Sequence, residues 1–206
     1  MPNLISKTPT PVLPTPAGQY NNGAEGQFRS VLRLFFNRLI GTVDRLLSPV
    51  AGGSVLYFPF GVFYSTATQT AAIINTAYPI TFNTTSFNDR VSVVSNSRVT
   101  VEDSGMFTFE VTAHFSQSSA AHKEAHIWAR KNGADIAYSS NQIIIEGSGK
   151  QQRAVCMFDI ILSAGDYIEL MWGTEDISVE LHAYAASTPY PAVPSASVSV
   201  TYSSNA

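Results

Sequence analysis

Two hydrophobic periods divide the chain. From Glu25 to Leu47 apolar positions return every three or four residues: Phe28, Leu32, Phe35, Leu39, Thr42 and Leu46 form one stripe, and Phe36, Ile40, Val43 and Leu47 form a second beside it. That spacing predicts an amphipathic helix whose apolar face is too wide for an isolated helix to leave in water. Asn21 or Asn22 supplies its cap, Glu25 lies near its positive end, and Ser48-Pro49 followed by Gly52-Gly53 stops it. Phe28, Leu32, Phe35, Phe36, Leu39, Ile40, Val43 and Leu46 are therefore read as an anchoring or oligomerising face, with packing against the chain's own β domain as the alternative.

After Gly53 the period falls to two. Phe107, Phe109, Val111, Ala113 and Phe115 alternate with Met106, Thr108, Glu110, Thr112 and His114, which marks one core face and one mostly polar face. The same alternation runs through Ile168, Leu170 and Trp172, and through Ile177, Val179, Leu181 and Ala183. Shorter strands are predicted at 56–64, 78–82, 91–94, 98–101, 125–131, 143–145, 153–162 and 197–202, with turns at Asp103-Ser104-Gly105, Asn132-Gly133, Ala164-Gly165-Asp166 and a hairpin tip at Gly147-Ser148-Gly149-Lys150. About ten short strands with no intervening helix predict an all-β, two-sheet antiparallel jelly-roll sandwich. Ahead of the helix, Pro2, Pro9, Pro11, Pro14 and Pro16 exclude both helix and paired strand. The expected organisation is an extended Pro-rich arm (1–20), an amphipathic helix (21–48), a Gly-rich linker (49–56) and a jelly-roll domain (57–206).

Two strands depart from simple alternation. Opposite Cys156, Phe158 and Ile160, the residues Val155, Met157 and Ile161 are also apolar, interrupted by Asp159, and Ile143-Ile144-Ile145 is apolar on both faces. A sheet wetted on one side has no use for that. Val155, Met157 and Ile161 are read as a subunit interface, with cover by the domain's own loops as the alternative. On another strand, His126, Trp128 and Arg130 share the face opposite Ile127 and Ala129, a polar and aromatic contact patch.

Charge and chemistry narrow the function. Lys and Arg total 12 against 15 Asp and Glu, a net charge of −3 with no basic block, so nucleic acid is not an expected partner. No apolar run reaches the length of a membrane span, and the first residues lack the pattern of a secretory signal, so a membrane partner is not expected either. The one cysteine, Cys156, falls in an apolar alternation and is expected to be buried.

His122-Lys123-Glu124-Ala125-His126 has a helical ligand spacing but enters a predicted strand, with no third ligand suggested. No Gly-x-Ser-x-Gly elbow is present, and no helix follows Gly147-Ser148-Gly149-Lys150 to direct its N-terminus at phosphate. Asp159, Asp166, Glu169, Glu175 and Asp176 are the carboxylates from which a glycosidase pair would have to come. The expectation is no enzyme, no metal and no cofactor.

Three elements carry a family resemblance: Gly105-Met106-Phe107-Thr108-Phe109, Arg130-Lys131-Asn132-Gly133, and Leu162-Ser163-Ala164-Gly165-Asp166 before Tyr167-Ile168-Glu169-Leu170. Together they resemble the globular heads of the tumour-necrosis-factor and complement-head superfamily, which implies a homotrimer around a three-fold axis. The front of the chain, Gln27-Phe28-Arg29, Leu34-Phe35-Phe36-Asn37-Arg38-Leu39, Tyr57-Phe58-Pro59-Phe60-Gly61-Val62-Phe63 and Thr68-Gln69-Thr70, resembles virion proteins of tailed phages. That resemblance implies a structural component of a bacteriophage particle, as a capsid decoration, neck, baseplate or tail-fibre module. It would be made in the bacterial host cytoplasm and joined to other virion proteins through the N-terminal arm and helix. The alternative is a carbohydrate- or receptor-binding jelly-roll adhesion protein acting in host attachment, with a host-surface glycan as partner.

Overall fold

The computed structural model describes residues 11–13, 18–19, 21–47 and 58–204; the remainder of the arm, the Gly-rich stretch and the side chain of Leu46 lie outside the described residues. The chain divides into two compact units, 1–57 and 58–206.

In the first unit, helix α1 runs Asn22–Leu47. Of the two candidate caps it is Asn21 that acts: its Oδ1 accepts the N–H groups of Gly23 at 2.8 Å and Ala24 at 3.3 Å. Glu25 at the positive end also accepts from Arg29 Nε one turn on, at 2.9 Å. None of the helix's described side chains is buried, and Leu34, Phe36, Ile40 and Val43 are among the exposed ones.

The second unit is the all-β two-sheet antiparallel jelly roll that the alternation predicts. Its strands are β1 (Phe60–Ser65), β2 (Gln69–Thr70), β3 (Tyr78–Pro79), β4 (Thr84–Asp89), β5 (Val91–Val94), β6 (Arg98–Val101) and β7 (Gly105–Gln117). There follow β8 (Lys123–Lys131), β9 (Ala134–Asp135), β10 (Asn141–Ile145), β11 (Gln151–Leu162), β12 (Tyr167–Thr174), β13 (Val179–Leu181) and β14 (Ala196–Ser204).

One sheet is organised by β7. On one side it pairs with β11 from Gly105↔Leu162 to Ser116↔Gln151; on the other it pairs first with β14 and then with β13. Beyond β14 lie β1 and β4, and β2 pairs with β13. The other sheet runs β10-β8-β12-β6-β5, with β3 beside β12 and β9 beside β8.

The core lies between the sheets. Phe107, Phe109, Val111, Ala113 and Phe115 of β7 are fully buried, as are Ile168 and Leu170 of β12. Phe115 meets Trp172 with ring centroids 6.2 Å apart, and Phe107 meets Tyr202 edge-on at 5.3 Å. Gly105 opens β7 because Tyr202 lies against its backbone: a Cβ there would stand 2.3 Å from Tyr202 Cε2 and 2.8 Å from the carbonyl of Ser204. Asn132 and Gly133, both in the left-handed region, make the two-residue turn between β8 and β9.

Four sequence expectations are corrected. Gly147-Ser148-Gly149-Lys150 is no hairpin tip, because β10 pairs with β8 and β11 with β7, so this segment carries the chain from one sheet to the other. Ile177, grouped with the core residues Val179 and Leu181, is 64% exposed, since the strand starts only at Val179 after a turn in which Asp176 Oδ1 accepts the Ser178 N–H. Of the expected strand 56–64, residues 56–57 lie outside the described residues, and β1 begins at Phe60 rather than at Phe58. Only Tyr78–Pro79 of the expected 78–82 strand pairs, although Ile80 and Phe82 beyond it are buried.

Candidate binding surfaces

The outer face of the β7 sheet is apolar at both borders. On β11 Ala154, Cys156 and Phe158 point inward and are buried, so Val155, Met157 and Ile161 point outward, where they are 51%, 63% and 63% exposed. Asp159, the charge within that stripe, is tied down: its Oδ1 accepts from Thr108 Oγ1 at 2.6 Å, and Thr108 Oγ1 is 2.7 Å from Ser203 Oγ. At the far border Phe87 of β4 is exposed and its ring centroid lies 5.8 Å from that of Phe60 on β1. Between the borders the outward residues of β7 and β14 are mainly Thr108, Glu110, Thr112, Ser197, Ser199 and Thr201. Ile144, between the core residues Ile143 and Ile145, is exposed on the outer side of the other sheet.

The outer face of the β8 sheet is different in kind. Ala125, Ile127 and Ala129 enter the core, which sends Glu124, His126, Trp128 and Arg130 outward. Asp135 joins two of the sequence-predicted patch residues: its Oδ1 accepts from Trp128 Nε1 and from Arg130 Nε, both at 2.8 Å. The Arg130 guanidinium, and then the indole N–H, hold the Asp135 carboxyl below its ordinary range. His126 Nδ1 is 3.3 Å from Ser140 Oγ. Of these, Arg130 stands behind Asp135 outside the lining, while Glu124, His126, Trp128, Asp135 and Ser140 line a cavity of about 650 Å³ to which Asn75, Tyr138 and Gly173 contribute from elsewhere in the chain. Sequence alternation found the strand but not these three, which reach the cavity from loops and from the neighbouring strand.

The remaining chemistry-bearing side chains serve local structure. His182 Nδ1 lies 2.6 Å from Glu180 Oε1, and burial, followed by the nearby Arg153, lowers the pKa of His114. Asp166 takes the Ser163 N–H, Asn132 and Lys131, and sits at about 2 in consequence; Asp176 is held at about 2 by Lys123 and then Ser178. Ser97 donates to Glu169, and the Glu124 N–H donates to Glu175. Cys156 is buried, and burial raises its pKa. Among the described residues no three His, Cys, Asp or Glu side chains are grouped to hold a metal ion, and no helix is long and apolar enough to cross a membrane.

Gln117 is a residue the sequence reading passed over. Buried at the end of β7, its Nε2 lies within donating distance of the carbonyls of Ala121 (3.1 Å), Ile145 (2.7 Å) and Gly147 (2.9 Å), so it fixes two loops at once.

Neither a family model nor a curated protein sequence matches the chain. Among solved structures, the crystal structure of murine APRIL at pH 5.0 superposes with a TM-score of 0.46 at 7% identity, over 71% of this chain and 99% of that one.

Proposed function

We propose that this chain is a non-enzymatic structural component of a bacteriophage virion that trimerises through its jelly roll and attaches to the particle through its N-terminal arm and helix. The observation that carries the association is the placement of two apolar patches on opposite borders of one sheet face: Val155, Met157 and Ile161 on β11, Phe60 and Phe87 on β1 and β4. A patch that meets a different patch on the next copy forms a head-to-tail contact, which closes into a ring when the rotation between copies is right and otherwise runs on as a filament. The number three comes from the resemblance to trimeric heads, and the phage setting from the resemblance of the front of the chain.

The helix supports the attachment. A face carrying Phe28, Phe36, Leu39, Ile40 and Val43 is exposed along α1, and each large apolar side chain contributes about 1.5–3 kcal/mol when it is buried. Deleting residues 1–48 is expected to leave a folded jelly roll that no longer enters particles, and replacing Phe35 and Leu39 with Ser in the full chain to weaken incorporation severely. Normal incorporation of the truncated chain would move the anchor into the jelly roll. A full chain that sediments as a monomer at micromolar concentration would remove the trimer.

A further inference from the structure

The cavity on the outer face of the β8 sheet has a construction that the structural role does not use. Its floor is Trp128 on β8 beside Gly173 on β12. A Cβ on Gly173 would stand 3.1 Å from the Thr76 carbonyl, a tight approach to the wall, and at an ordinary contact distance of 3.6 Å from Trp128 Cη2. One wall is the 75–77 segment, held where the Asn75 N–H donates to the Thr174 carbonyl at 2.8 Å. The opposite wall runs from Asp135 to Ser140 and is pinned by Ser139, whose Oγ donates to the Ile136 carbonyl at 2.8 Å and accepts the Ala129 N–H at 3.2 Å. The indole is held by its N–H on Asp135, so the aromatic surface is oriented before any ligand arrives.

Tyr138, at the rim, is the informative residue. Its side chain is fully exposed, yet its backbone has φ of +63°, a conformation that is costly for a bulky side chain. Neither burial nor backbone preference accounts for a tyrosine there. An aromatic presented to solvent at the rim of a preformed cavity is placed where a ligand would meet it.

We propose that this cavity binds a neutral saccharide, with Trp128 and Tyr138 receiving the apolar face of a sugar ring and Glu124, Asp135 and His126 hydrogen-bonding its hydroxyls. About 650 Å³ lies within the range of small-molecule sites, a few placed polar groups among aromatic surface. Charge argues against an anionic ligand. Glu124, Asp135 and Glu175 all line the cavity, and the one arginine beside it is bound to Asp135, so an anionic sugar or a phosphate would meet negative potential. Hydroxyl groups, by contrast, donate to carboxylates while accepting from Asn75 and Ser140. This goes beyond the structural role and is read independently of it, because subunit association and sugar binding occupy different sheets.

The test uses the full-length protein and four probes: the methyl glycosides of glucose, galactose, mannose and N-acetylglucosamine. Binding is followed by tryptophan emission, in which Trp128 is the responsive indole because Trp172 is buried, and by saturation-transfer NMR for variants lacking Trp128. At least one glycoside is expected to bind saturably in the millimolar range. Tyr138→Ala and Trp128→Phe are each expected to weaken it about tenfold, with the thermal transition of Tyr138→Ala unchanged. Failure of all four glycosides, or an affinity untouched by Tyr138→Ala, overturns the proposal. Tighter binding of choline than of any sugar also overturns it, by assigning the carboxylates and aromatics to a cation instead.

Discussion

The two sheets turn different chemistry outward. On the β7 sheet the outward apolar side chains of β11 are left exposed among the described residues of the jelly roll: Val155, Met157 and Ile161 stand at the border, with Asp159 between them bonded to Thr108. On the β8 sheet the outward side chains are already engaged with one another, as in Trp128 and Arg130 on Asp135 and Gln142 on Glu124. The first surface gains by meeting another protein, since bringing apolar area out of water is favourable and non-directional. The second is pre-ordered and concave, which suits a small ligand better than a flat partner. The proposed association and the proposed recognition thus fall on separate faces of one sandwich.

The sharpest way to break this comparison is to place the same charge on either side of one strand. Phe158→Lys puts an ammonium into the core opposite Phe109 and is expected to unfold the jelly roll, because a buried unpaired charge costs several kcal/mol. Met157→Lys, one residue away and outward, is expected to keep the far-ultraviolet circular dichroism and thermal transition while shifting sedimentation equilibrium from trimer to monomer. Equal loss of structure in both variants would mean that Met157 is needed within its own subunit.

Gln117→Ala tests a contact that belongs to neither outer face. Three carbonyls lose their shared donor, so a loss of about 1–3 kcal/mol is expected in urea denaturation, with the oligomeric state unchanged.

The smallest effect is acid sensitivity. Asp166 and Asp176 have pKa values of about 2 in the folded protein against an ordinary 3.8, so between those values the unfolded chain binds more protons. Their stabilisation is complete above 3.8 and is lost as the pH falls toward about 2. Both carboxylates are only partly buried and stay in contact with solvent, which keeps the contribution modest. Asp166→Asn with Asp176→Asn is expected to flatten the decline of the urea midpoint over that window, and a decline as steep as in the parent would place the acid response elsewhere.

The fold was legible where alternation was long. Phe107 to Phe115 marks β7 as a strand and shows which residues it buries, and the Asn132-Gly133 turn can be read from two letters. Edge elements were not legible. Thr84–Asp89 forms β4 but reads as polar chain, since an edge strand facing solvent on most positions lacks the contrast that alternation needs. The role of Gly147–Lys150 failed for a related reason, because local turn chemistry is the same whether the next strand returns to its neighbour or crosses to the other sheet. At the cavity, His126 and Trp128 were visible through their shared strand face, whereas Asn75, Asp135, Tyr138 and Gly173 come together only through tertiary structure. Met171 shows the same effect: it lies on the face opposite Leu170 and Trp172 and is nevertheless buried.

The pairing of β14 with both β1 and β7 sets an order of events during synthesis. Strand β14 lies between them, so until residues 196–204 have emerged from the ribosome the β7 sheet has a gap at its middle. Partial chains can form local hairpins such as β8 with β9, but the contact from β1 to β14 spans nearly the whole jelly roll and closes last. From the emergence of β7 until that of β14 the nascent chain therefore presents Phe107, Phe109 and Val111 along an unpaired strand edge, the condition in which chaperones act and aggregation competes with folding.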